Sequence, residues 1–185
     1  MTYPWFTWAL PTDKPTQGDI ILGCPIVRLD DLIVDKDEFE ATQTVIEQDV
    51  IVMTQACDLE TDKVQNVVLC PIYFLVNLQK DWEAKRVSKS QSTHFKDWLG
   101  FLKEVKRGQR PNLAMTNRCT LPEIELAHGV IDFHEVFTLP KQVLLNYIGS
   151  LNGRPRLLPP YREYVSQAFA RFFMRVGHPI DIDSW

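Results

Sequence analysis

The chain has 185 residues, 45 % hydrophobic and 24 % charged, with a formal net charge of −4. This balance suits one globular domain with a real core and excludes wholesale disorder. No run of about 18 apolar residues offers a membrane span, and the N-terminus lacks a secretory pattern. Cys24, Cys57, Cys70 and Cys119 form no Cys-x-x-Cys pair, so a cytoplasmic protein with reduced thiols and no metal or cofactor is expected.

The modest net charge conceals a strong internal polarity. Residues 1–63 carry 4 basic and 13 acidic side chains, residues 64–118 carry 10 and 4, and residues 119–185 carry 6 and 7. A basic middle segment can face nucleic acid, or it can attract the acidic front within the fold or across a dimer. One domain is expected, in which 1–17 form an irregular arm, 18–76 and 112–158 a β-rich core, 77–110 a helical insertion and 159–177 a C-terminal helix.

In chain order, Trp5, Phe6 and Trp8 lie among three prolines, which predicts an arm that pins aromatics onto a surface or offers them to a protein partner. Gly18-Asp19 introduces a first strand, Ile20 to Val27, where Gly23 and Pro25 suggest a bulge or an edge. Residues 30–49 are dominated by carboxylates and read as a solvated hairpin or loop, available to a protein partner. They do not reproduce the spacing of a calcium loop.

Val50-Ile51-Val52-Met53 cannot alternate in and out, so it reads as a strand covered on both faces. At its end Thr54, Gln55, Cys57 and Asp58 bring a hydroxyl, an amide, a thiol and a carboxylate together. The simpler alternative is an Asx-type turn, in which Asp58 caps backbone amides and Cys57 is a small core residue. After a polar turn at 60–65, Val67 to Leu75 is a second apolar strand, bulged or at an edge near Pro71.

The pattern then becomes helical. Ser92 or Thr93 is a candidate N-cap, and Phe95, Trp98, Leu99, Leu102 and Val105 recur at helical spacing. The opposite face carries Lys96, Lys103, Lys106 and Arg107, a solvated surface or a set of phosphate contacts to RNA or DNA. Short strands follow at 113–115 and 119–126. A further strand is expected over 129–137, where Asp132 and His134 would share a face.

Cys57, His134 and Asp132 would supply the groups of a cysteine hydrolase, although an Asp and a His two apart on a strand lie side by side rather than in relay. Residues 143–145 and 157–158 read as strand or short helix, separated by an Asn152-Gly153 turn. Pro159-Pro160 opens a helix from Tyr161 to Val176, with Val165, Ala168, Phe169, Phe172 and Val176 inward and Gly177 as its stop.

Gly18-Asp19-Ile20-Ile21, Val50-Ile51-Val52-Met53-Thr54 and Val67-Val68-Leu69-Cys70-Pro71-Ile72 together resemble the strands of PemK/MazF-like toxins, with Gly129-Val130-Ile131 as a fainter fourth match. The resemblance covers about half the chain. It implies an α+β fold built on a small SH3-like barrel, and an endoribonuclease of a toxin–antitoxin or defence-type system that binds RNA. Thr54 carries over from the family pattern. The family's arginine before the central strand is replaced by Gln48-Asp49, and its hydroxyl residue after Pro-Ile by Tyr73-Phe74. Arg28 is then the candidate cation for a phosphate transition state. The competing expectation is a non-catalytic interaction module of a multi-protein system, and a homodimer is the default assembly.

Overall fold

Uninterrupted apolar runs in the middle of the chain build a sheet that is buried on both sides. The computed structural model describes residues 3–35 and 38–174. In chain order the elements are β1 (Phe6–Ala9), β2 (Ile20–Asp35), β3 (Glu38–Val52), α1 (Ala56–Glu60), β4 (Asn66–Phe74), α2 (Leu75–Val87), α3 (Phe95–Lys106) and β5 (Leu113–Thr116). Then come β6 (Cys119–Leu121), β7 (Ile124–Leu126), β8 (Gly129–Asp132), β9 (Phe137–Pro140), α4 (Lys141–Ser150), β10 (Arg154–Leu157) and α5 (Tyr161–Phe173). The predicted helix end at Val176 and its stop at Gly177 lie outside the described residues.

The fold is α+β. Its main sheet runs β2-β3-β4-β8-β5 with β9 also on β4, all antiparallel, and its end strands β2 and β5 do not pair, so it stays open. Side chains alternate between two cores. On one face Ile20, Ile51, Cys70, Ile72 and Ile131 pack with Phe133 and with Val165, Ala168, Phe169 and Phe172 of α5. On the other, Ile21, Val50, Val52, Val67 and Leu69 pack with Leu59 of α1 and Leu144 and Ile148 of α4. The doubly covered strand at 50–53 follows from its four successive apolar residues.

β4 is interior to the sheet. It pairs with β3 on one side; on the other it pairs with β9 along Asn66–Leu69 and with β8 along Ile72–Phe74. Pro71, which has no N–H, falls in the gap where β4 changes partner, so no ladder bond is lost. The same gap corrects the expected strand over 129–137. Residues 133–136 leave the ladder as a turn because the Asp132 carboxylate accepts the His134 N–H at 3.0 Å.

One further expectation changes: the N-terminal arm contains β1, which pairs with β10. Of the two alternatives for 143–145, the short helix is the one that forms, as α4. Local pattern does not reveal a buried ion pair. Arg154 and Asp19 are almost fully enclosed, with Arg154 Nε donating to Asp19 Oδ2 at 2.6 Å. Arg154 also donates to the carbonyls of Leu10, Asp13 and Lys14, and Arg156 donates to the same carboxylate. These bonds fasten the segment from Leu10 to Asp19 to the body.

β2 and β3 extend past the body as a two-stranded ribbon, exposed on both faces from Val27 to Val34 and from Phe39 to Val45. At its root Gly23, with φ +60°, makes the expected bulge. Its N–H donates to Asp49 Oδ1 at 2.9 Å, and the Tyr147 hydroxyl of α4 donates to the carbonyls of Leu22 and Gly23.

The helical insertion forms as α2 and α3. Trp82, Trp98 and Phe101 lie together between them, with Arg86 over Trp82 and Arg110 over Phe101. Of the predicted stripe, Trp98 and Val105 are buried while Phe95 and Leu99 are exposed. The N-cap is His94, not Ser92 or Thr93. The Ser92 hydroxyl meets Asp97 of the first turn instead.

Candidate functional site

α3 and α5 approach β5 from two sides, and between them opens a cavity of about 590 Å³. Its lining comes from four places in the chain: Trp5 from the arm, Lys106 from α3, Met115, Thr116, Asn117 and His128 around β5 and β8, and Pro160, Tyr161 and Tyr164 from α5. Trp5 and Tyr161 stack with centroids 3.6 Å apart and planes 10° from parallel, and the Tyr161 hydroxyl donates to the Tyr3 carbonyl. This pairing gives the cavity a rigid aromatic wall. A smaller hollow of about 280 Å³ shares Lys106, Met115 and His128 and adds Leu75, Leu102 and Lys103.

The polar groups divide by availability. Thr116 is buried and its Oγ1 accepts the Gly129 N–H at 3.2 Å, so it braces β5 against β8. A side chain at 129 would meet Ile72 and Thr116 within 3 Å, which requires glycine there. The Lys103 and Lys106 ammonium groups and the His128 imidazole make no hydrogen bond or ion pair among the described residues. Lys106, the His128 imidazole and the aromatic wall line the larger hollow, and Lys103 joins Lys106 and His128 at the smaller one, an arrangement that suits a planar ring joined to an anion.

The residues expected to carry chemistry lie elsewhere. Thr54 is buried and its Oγ1 accepts the Val68 N–H at 2.7 Å, so its hydroxyl closes the β3–β4 junction. Cys57 is exposed on α1, and its thiol donates to Gln55 and Asp58 at 3.7 and 3.8 Å. The Asx-turn alternative also fails there, since α1 has no side-chain cap and Cys57 is outside the core. Arg28 sits on the ribbon, paired with Asp30. His134 Nδ1 lies 3.1 Å from Asn112 and 3.5 Å from Asp132, with Phe172 against its ring. Among the described residues no bond or ring contact joins Thr54, Cys57 or Asp58 to Arg28 or His134.

Of the four basic positions on α3, Lys103 and Lys106 reach the two hollows; Lys96 and Arg107 are exposed and line neither. Comparison with protein-family models, curated proteins and solved structures gives no match for the chain. Among the described residues no group of three or more His, Cys, Asp or Glu side chains could hold a metal ion, and no helix is long and apolar enough to cross a membrane. Tyr161, Tyr164, Asn117 and His128 were missed by sequence reasoning. The one usable signal was Trp5, an aromatic in an arm that had to be pinned somewhere.

Proposed function

We propose that this chain binds single-stranded nucleic acid, with RNA as the natural ligand, as a cytoplasmic PemK/MazF-like protein in which the open antiparallel sheet stands in for the family's SH3-like barrel and the helical insertion and α5 are additions. What supports the reading is the cavity where Lys106 of α3 and His128 meet the Trp5–Tyr161 stack, with Lys103 on the adjoining smaller hollow. Proteins that hold single strands combine a basic track for phosphates with aromatic faces for bases. Here Lys103 and Lys106 would meet phosphate, and Tyr164 with the aromatic wall would take a base. His128 is positioned to donate to, or accept from, a group held in the opening.

The test is fluorescence anisotropy with mixed-sequence single-stranded RNA across a salt series, with the same samples run on denaturing gels. Tyr164→Ala should weaken binding by about tenfold or more, as expected for one lost base stack. Lys103→Ala with Lys106→Ala should flatten the dependence of log K on log salt by roughly 0.7 per lost contact. Binding that is absent at low salt, or unchanged in both variants, refutes the proposal. RNA cleavage abolished by His128→Ala, and retained in Thr54→Val, would make this an endoribonuclease with its chemistry in the cavity.

A second reading, a protein-interaction module, is favoured by the ribbon, whose exposed apolar side chains serve no packing role within the chain. The cysteine hydrolase has less behind it, because among the described residues no imidazole is bonded to Cys57.

A further inference from the structure

The ribbon has two unlike faces, and a bulge keeps them so. Residues opposite each other in an antiparallel pair project to the same side. Val27 pairs with Val45, Leu29 with Gln43, Leu32 with Ala41 and Val34 with Phe39. Between Leu29 and Asp31 the register shifts by one. Without that shift Leu32 and Val34 would fall on the opposite side from Val27 and Leu29. With it, Val27, Leu29, Leu32, Val34, Phe39, Ala41 and Val45 form one continuous apolar strip, broken only by Gln43. Exposure along it is high, from 48 % at Leu32 to 73 % at Phe39.

The other face holds Arg28, Asp31, Ile33, Glu40, Thr42 and Thr44, and the bulge residue Asp30 bonds Arg28 and Thr44 on that side. No charged side chain lies on the apolar strip between Val27 and Val34 or between Phe39 and Val45.

We infer that this strip is the self-association surface of the protein, covered by the same strip of a second copy stacked antiparallel across a two-fold axis. Three observations select that occupant. The six large apolar side chains are each 48–73 % exposed, and covering all of that area on both copies would reach at most the lower bound of a specific interface, about 1,200 Å² in total. The strip itself carries no charged side chain and Arg28, Asp31 and Glu40 lie on the opposite face, so stacking strip on strip leaves those charges in water, with Glu47, opposite Pro25, just past the Val27–Val45 end. An isologous contact also needs a surface that complements itself. Antiparallel stacking sets the bulky Val34–Phe39 end of one strip on the Val27–Val45 end of the other and the Leu32–Ala41 row on the Leu29–Gln43 row, with the axis between these two rows. This surface is separate from the cavity and its test needs no nucleic acid.

Sedimentation velocity of the full chain up to about 100 µM, a range suited to a contact of this size, should reveal a concentration-dependent dimer. Leu32→Glu should give monomer at every concentration, and Thr42→Glu, on the opposite face, should still dimerise. Unchanged circular dichroism and melting of both variants would verify folding. A wild-type chain that stays monomeric, including one whose ribbon only a foreign protein covers, overturns the inference. So does a dimer that survives Leu32→Glu.

Discussion

Replacing Arg154 with methionine removes the charge at the centre of the network that ties the arm to the body while keeping most of the side-chain volume. Arg154 is 1 % exposed and Asp19 is fully buried. The substitution deletes the 2.6 Å bond to Asp19 and the bonds to the Leu10, Asp13 and Lys14 carbonyls. Breaking a buried pair by removing one partner typically costs about 3–5 kcal/mol, because the surviving charge stays desolvated. Arg156 still donates to Asp19 through Nε and Nη2, and the freed carbonyls are only partly buried, so the lower end, about 3 kcal/mol, is expected. For a chain of this size that corresponds to a fall in Tm of roughly 6–12 °C. Urea unfolding followed by tryptophan fluorescence gives the free energy. Asp19→Asn should be destabilising too, and the double variant should lose less than the sum of the two. A loss below about 1 kcal/mol, or strictly additive losses, would refute the claim that this pair anchors the arm.

Thr54→Val should cost about 1–2 kcal/mol in the same urea assay by orphaning the Val68 N–H, and should leave RNA affinity unchanged; a selective loss of binding would return Thr54 to the site. In the native protein a thiol reagent should modify Cys57 rapidly and the buried Cys24, Cys70 and Cys119 only on unfolding, counted by absorbance or mass. Stability should also decline in alkali. Burial pushes the Cys24 thiol up to about 11 and, with the Asp132 charge adding, the Cys70 thiol up to about 12; burial and the bond to Glu135 raise the Tyr73 phenol. The fold therefore holds these groups neutral where the unfolded chain ionises them. Their contribution is complete below the ordinary thiol value of 9.0 and is lost progressively above it. Tm measured against pH should fall from there toward 11, and a flat profile would contradict the assignment.

What could be read from the sequence was what neighbouring residues decide among themselves. Val50 to Met53 announced a strand with two dry faces, Gly23 announced a bulge, and Tyr161 after two prolines announced a helix start; all three hold. His134 was misplaced because alternation continued through it, while the short bond from its own N–H to Asp132 favoured a turn. The cavity was out of reach for a different reason. Trp5, Lys106, His128 and Tyr161 are brought together by the topology, and no local period links them. The same holds for Asp19 and Arg154, which are 135 positions apart. Thr54 looked reactive because a hydroxyl at a strand end is common to active sites and to junctions that need a backbone acceptor.

β3 is anchored deep in the molecule at one end and stands in open water at the other. Where the two regimes meet, Tyr147 reaches from a helix on the second core and grips two successive carbonyls, while Asp49 holds the glycine beside them. The projecting half is thus held by a clasp at its base. Two molecules that meet there would present their clefts at an angle fixed in advance by that clasp, and a change confined to Tyr147 would alter the spacing between clefts while leaving each cleft intact.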